Sequence, residues 1–379
     1  MPPGEVWGTN RAGWRGIGQR SILIFPNKSL PAQHAQREDR LNVLVVGGAG
    51  YIGSHAVRAL AEGGHHPVVL DNLCLGHRGA SEGFALEVCD LMDRSRVEAI
   101  LRAHQIELVM HFAAFAAVGE SVVDPSIYYG NNVVATWQLL EAMRAAGVQR
   151  FIFSSTTATY GEPKTSPIVE TTPQDPINPY GRSKRIVEQM LRDYGHAYGL
   201  ASVALRYFNA AGASLRHDIG EDHHPETHLI PILLQVALGQ RPHMTIFGDD
   251  YPTEDGTCVR DYTHVDDLAS AHLLAIEQLK PSQFQAFNLG SGTGSSVRQV
   301  VEMARQVTGH PIPTQMGSRR PGDPPQLVAD IGLAQSILGW RPVSSDLETI
   351  VRSAWNWHAR HPRGYDDRSE SAGRGSNSR

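Results

Sequence analysis

The spacing of apolar positions changes several times along the chain, and each change marks an element. Leu41-Asn-Val-Leu-Val-Val46 is a short β-branched run that stops at Gly47, and an amphipathic stretch follows from about Ile52. That order predicts a strand, a tight turn and a helix. Pro67–Leu70 with Asp71 at its end, Glu107–Phe112 and Arg150–Phe153 read as further strands, and helical patterns cover about 93–104, 127–146 and 180–198. Strands alternating with helices at this spacing imply parallel βαβ units, so the expected fold class is α/β with a doubly wound parallel sheet covered on both faces. Beyond about residue 210 Pro, Gly and His become frequent, and long polar loops run over Gly248–Gly256 and Gly317–Pro325. The expected organisation is one sheet region over 41–210, to which some later segments return, and a smaller mixed α/β ligand-binding region over 211–362.

The two ends differ from this body. Residues 1–40 carry six basic side chains against three acidic ones and lack sustained periodicity, and residues 363–379 are rich in Gly, Ser, Arg and Asp; both are expected to be disordered. The whole chain has a formal net charge of −5 over 379 residues, so the body is more acidic than the total suggests. Neither a polybasic nucleic-acid binder nor a membrane-surface binder fits that balance. No window approaches the roughly 18 uncharged apolar residues a membrane span needs. Cys74, Cys89 and Cys258 show no CxxC spacing, which favours a reducing cytoplasm and argues against zinc. Any phosphate site must therefore rest on local geometry.

Gly47-Gly-Ala-Gly-Tyr-Ile-Gly53 supplies such geometry. Glycines 47, 50 and 53 after a strand permit a tight turn, close approach to a pyrophosphate and close helix–sheet packing, with the phosphates at a helix N-terminus. Glycine turns also arise for packing alone, but Asp71 follows at the end of the second strand, where a carboxylate can accept both ribose hydroxyls. The pair points to a Rossmann-type site for NAD rather than NADP. Tyr180-Gly-Arg-Ser-Lys184 places a phenol and an ammonium on one helical face. A neighbouring cation favours the phenolate, which makes Tyr180 a candidate base. A hydroxyl-rich strand end, Ser154-Ser-Thr-Thr157, precedes it.

In these words and their order the chain resembles the extended short-chain dehydrogenases/reductases, and within them the nucleotide-sugar 4-epimerases. His111-Phe-Ala-Ala114, Asn178-Pro-Tyr-Gly-Arg-Ser-Lys184 and Arg206-Tyr-Phe-Asn209 carry the resemblance, and Asp250-Tyr-Pro-Thr-Glu-Asp-Gly256 followed by Val259-Arg-Asp-Tyr262 narrows it. The resemblance implies that Gly47, Gly50, Tyr51, Ile52 and Gly53 meet the NAD pyrophosphate, and that Asp71 and Asn72 meet the adenosine ribose. It sets Asp90 and Leu91 by the adenine, and Phe112, Ala113, Asn131, Ser154 and Phe208 around the nicotinamide half. Thr156, Tyr180 and Lys184 take the catalytic positions, while Asn209, Leu229, Arg260, Arg320 and Asp323 match contacts to the diphosphate and uridine. The implied activity is a UDP-hexose 4-epimerase, an isomerase interconverting UDP-galactose and UDP-glucose through a 4-keto sugar, with UDP-hexose as ligand and no nucleic acid or membrane partner.

The sequence departs from the family pattern in places. Ala116 stands where some members carry a cofactor-contacting Lys, and Leu327 where bulk gates N-acetylated sugars, so a UDP-GlcNAc/UDP-GalNAc or bifunctional epimerase stays open. A nucleotide-sugar 4,6-dehydratase would need an acidic pair after Thr156, where Thr157-Ala158 stands, and a non-catalytic NAD-sensing module would not need the intact Thr156, Tyr180 and Lys184. The spacing of Glu221, Asp222, His223, His224 and His228 fits no standard zinc pattern, so no metal is expected. The helices over 127–146 and 180–198 resemble those of a family dimer, which implies a homodimer.

Overall fold

The computed structural model describes residues 40–320 and 323–365. Strand β1, Asn42–Val46, leads through the glycine turn into helix α1, Tyr51–Glu62, and the chain returns as β2, His66–Asp71. β3 (Ala85–Val88), α2 (Arg94–Ala103), β4 (Leu108–His111), β5 (Arg150–Thr156) and β6 (Ala201–Tyr207) follow. A distant strand, Phe284–Leu289, pairs with β6, completing a seven-stranded sheet in the order Phe284–Leu289, β6, β5, β4, β1, β2, β3. Every pairing in it is parallel.

Alternation along the strands divides the core in two. Val43 and Val45 face a layer containing Val57 and Leu60 of α1 and Leu268 and Ala271 of the helix Val265–Ala275. Leu44 and Val46 face the opposite layer, with Val97 and Leu101 of α2, Leu139 of the helix Ala135–Ala146, and Val187 and Leu191 of the helix Pro179–Tyr198. Strands buried on both faces need continuous apolar runs, and β1 and β2 have them. β6 does not: Ala-Ser-Val-Ala-Leu-Arg-Tyr buries Ser202 and Arg206, and these polar residues concealed the strand from hydrophobic patterning. The helix expected over 127–146 is interrupted, running as Pro125–Tyr128, a wide π-type turn over Tyr129–Val134, and Ala135–Ala146.

The second region is built on the strand Val259–His264, which pairs in parallel with Asn209–Ala211 and Gln326–Leu327 and antiparallel with Gly294–Ser296. Its core joins Leu233 and Leu234 to Val300, Val301, Ile350 and Val351. Phe284–Leu289 and Val265–Ala275 are the later segments that pack with the sheet region. The segments expected to be disordered lie outside the described residues, except Arg40 and residues 363–365. Tyr365 stacks on His77 with ring centroids 4.8 Å apart, and its N–H donates to Asp222 at 3.0 Å. Among the described residues no helix is long and apolar enough to cross a membrane.

Candidate active site

The chain leaves β1 for β2 and β3 on one side, and β4 lies on the other, so the strand order reverses at the C-terminal ends of β1 and β4. Ligands bind at such a switch point. Gly47 occupies it with φ 77°, and its N–H donates to Leu70 O at 2.8 Å. A Cβ on Gly47 would lie 2.5 Å from Ala113 N, and one on Gly53 would lie 2.1 Å from Gly47 O. Both glycines are thus required by close backbone approach. Helix α1 starts from Gly50 with no side chain capping it. The first-turn N–H groups of Tyr51, Ile52 and Gly53 are therefore left for an anion, which fits a pyrophosphate.

At the end of β2, Asp71 accepts from Ala49 N at 3.1 Å and from Leu73 N at 2.8 Å. Burial pushes its pKa up, while these two N–H donors pull it down. Asn72 donates to Asp90 at 2.8 Å, and Leu91 is buried next to that pair. The residues assigned to the adenosine half therefore converge on one sheet edge.

The reactive groups come from β5 and the helix beside it. Asn178 caps the helix Pro179–Tyr198 by accepting from Gly181 N at 2.8 Å, and Tyr180 and Lys184 follow one turn apart. Lys184 is buried, donates to Ser154 O at 2.8 Å and lies 4.7 Å from the centroid of the Phe153 ring. Burial lowers its pKa to about 7, and the Glu188 carboxylate acts in the opposite direction. Burial raises the Tyr180 pKa, and the Thr156 hydroxyl acts to lower it. Thr156 Oγ1 also accepts from Ala158 N at 3.2 Å. A threonine hydroxyl, a phenol and an ammonium thus form one acid–base group.

Around this group, Phe112 packs against His272 with ring centroids 4.7 Å apart, and the Ala113 N–H donates to Val46 O at 3.1 Å. Asn131 sits on the π-type turn and donates to Asn132 Oδ1 at 3.1 Å. Phe208 packs with Tyr160, Ile168 and Ala329, and the half-buried Leu327 closes that cluster. On the second region Arg260 pairs with Asp323, and Arg320 lies 4.1 Å from the centroid of the Phe247 ring. Asn209 pairs with Tyr262 across the sheet, and Leu229 opens the helix Leu229–Ala237.

Sequence reasoning missed Glu188 and Arg206. They form a buried bidentate pair, with Arg206 Nε to Glu188 Oε1 at 2.9 Å and Nη2 to Oε2 at 2.6 Å. Ser155, next to the Lys184 acceptor, donates to Glu188 at 2.6 Å. The available signal was a Tyr180–Lys184–Glu188 stripe at successive i,i+4 positions.

A switch-point glycine turn, a carboxylate at the end of β2 and Thr156, Tyr180 and Lys184 beside β5 are the parts of a nicotinamide-dependent enzyme that moves hydride and proton at a secondary alcohol. The model of the NAD dependent epimerase/dehydratase family matches residues 43–290. A UDP-glucose 4-epimerase of Halalkalibacterium halodurans is 55% identical over 324 residues, covering 85% of this chain and 97% of that relative. The crystal structure of UDP-glucose 4-epimerase from Brucella ovis in complex with NAD has a TM-score of 0.81 and 50% identity, covering 83% of this chain and 98% of that one. That of Bifidobacterium longum with NAD+ and UDP has a TM-score of 0.81 and 38% identity, covering 86% of this chain and 100% of that one. The chain belongs to the NAD dependent epimerase/dehydratase family, on its UDP-glucose 4-epimerase branch.

Proposed function

We propose that this chain interconverts UDP-galactose and UDP-glucose, with NAD bound along the C-terminal edge of β1, β2 and β3. The observation that carries the reading is Thr156 at the end of β5 with Tyr180 and Lys184 one turn apart on the helix beside it, in the same sheet whose β1 ends in the glycine turn. Bound NAD+ supplies a reversible hydride acceptor for C4 of the sugar. Tyr180, as phenolate, takes the O4 proton. Burial by itself keeps Tyr180 a phenol; the Thr156 hydroxyl acts in the other direction and can orient O4, and the positive charges of Lys184, one helical turn away, and of bound NAD+ would add to that effect. The planar 4-keto sugar turns about its diphosphate link, and Tyr180 returns the proton after hydride reaches the other face. Arg260 and Arg320 suit the diphosphate, because a guanidinium fork keeps its charge and matches phosphate oxygens.

The dimer of the sequence reading is part of the proposal. Val122, Val123, Val134, Trp137 and Ile186 are exposed on helical segments flanking the sheet, with Val123 86% exposed, and such a row of apolar side chains suits a second copy of the chain. Free thiols at Cys74, Cys89 and Cys258 support a reducing, cytoplasmic setting.

The test is to incubate purified protein with UDP-galactose and follow UDP-glucose. Turnover is expected for the wild type, with a fall of about 10²–10⁴ for Tyr180→Phe while NAD stays bound. No product from either UDP-hexose with NAD present would refute the proposal.

A further inference from the structure

Four side chains that the proposed reaction does not use meet in the loop before the helix Leu229–Ala237. One donor atom each from Glu221, His223, Glu226 and His228 lies within 4.8 Å of all the others. His228 Nδ1 is 2.9 Å from Glu226 Oε1 and 3.1 Å from Glu221 Oε1; His223 Nδ1 is 3.2 Å from Glu221 Oε1 and 3.9 Å from Glu226 Oε2. Around a tetrahedral ion with ligands at about 2.0–2.1 Å, neighbouring donors stand about 3.3 Å apart. The four separations straddle that value.

Three further observations point to a cation. Both carboxylates are buried, with side chains 5% and 2% exposed, and two anions this close require compensation. His223 Nδ1 is shielded from solvent, yet among the described residues it has no hydrogen-bond partner, although it lies within ligand spacing of Glu221. Finally, the Glu226 carboxylate is fixed, because Oε1 accepts the N–H groups of Thr227 and His228 at 2.7 Å each.

We propose that Glu221, His223, Glu226 and His228 form a structural zinc site. Two imidazoles and two carboxylates suit a borderline ion such as zinc better than magnesium or calcium, which take oxygen donors. Four protein ligands close the coordination shell, which is the mark of a structural rather than a catalytic site. The site ties the loop to the start of α1: the His223 ring meets Tyr51 edge-on at 6.4 Å, and Tyr51 donates to Gly212 O at 2.7 Å. All four ligands come from one irregular loop of eight residues, whose spacing follows no standard zinc pattern.

Untagged protein tests this through elemental analysis and thermal unfolding. The expected result is about one zinc per chain, with chelation lowering Tm by roughly 4 °C and zinc in about hundredfold excess over its Kd restoring it. The double variant His223→Ala/His228→Ala is expected to hold no zinc and to unfold at a Tm that ignores chelator. If it does not fold, His223→Gln, which keeps side-chain size and a hydrogen-bonding atom, must lose the chelator response while its far-ultraviolet spectrum stays that of the wild type. A wild-type Tm indifferent to both chelator and zinc, a variant that keeps its metal, or a different ion bound at these residues would overturn the proposal.

Discussion

Glu188 lies four residues after Lys184, and its charge opposes the desolvation that pulls the Lys184 pKa down to about 7. It also carries Arg206, with both side chains almost wholly enclosed. Removing one partner of a buried pair strands the other charge. Glu188→Gln is therefore expected to lose about 3–5 kcal/mol of stability in urea unfolding, and Glu188→Gln/Arg206→Met to recover much of it. At this scale the sequence was informative where a motif spoke. Tyr180, Lys184 and Asp71 could be read as local words, whereas Arg206 is a single polar letter in a strand. Its meaning depends on Glu188, eighteen residues away.

At the scale of elements, the β1–α1 turn depends on two backbones approaching more closely than a side chain allows. Gly53→Ala would set a Cβ 2.1 Å from Gly47 O, so α1 must shift away from the turn. The expected outcome is loss of bound NAD, read by absorbance of the purified protein, together with a lower Tm. The period of apolar residues made β1, α1 and β2 legible to within a residue or two. It could not show the π-type turn over Tyr129–Val134, because helical patterning hardly changes across one wide turn. Nor could it place Phe284–Leu289 beside β6, since that pairing joins segments about eighty residues apart.

Across the whole molecule, burial lowers the pKa values of several described histidines, three of them by a wide margin. His55 and His272 have pKa values lowered to about 4 and His111 to about 3, desolvation being the largest cause for each. An unfolded histidine titrates near 6.5, so between about pH 6.5 and 4 the unfolded chain binds more protons at these sites. Their contribution is complete above pH 6.5 and is lost as the pH falls, with a slope of about 1.4 kcal/mol per pH unit for each histidine. Denaturant midpoints measured across that range are expected to fall steeply, and His111→Asn should remove about one proton's worth of the slope. The exposed apolar row gives a second prediction at this scale. Val134→Glu/Trp137→Glu should convert a dimer to monomers in light scattering without altering the helical spectrum.

The sequence by itself determined the glycine turn, the carboxylate at the end of β2, the Tyr–Lys pair and the parallel α/β class, because each depends on local backbone or on the spacing of apolar residues along the chain. Tertiary structure decided that Glu188 takes Arg206 of β6 as its partner, that Lys184 donates to Ser154 O of β5, and that Phe284–Leu289 completes the sheet beside β6. These are matters of burial and distance between segments. A chain's order does not state them until packing has excluded water and brought the segments together.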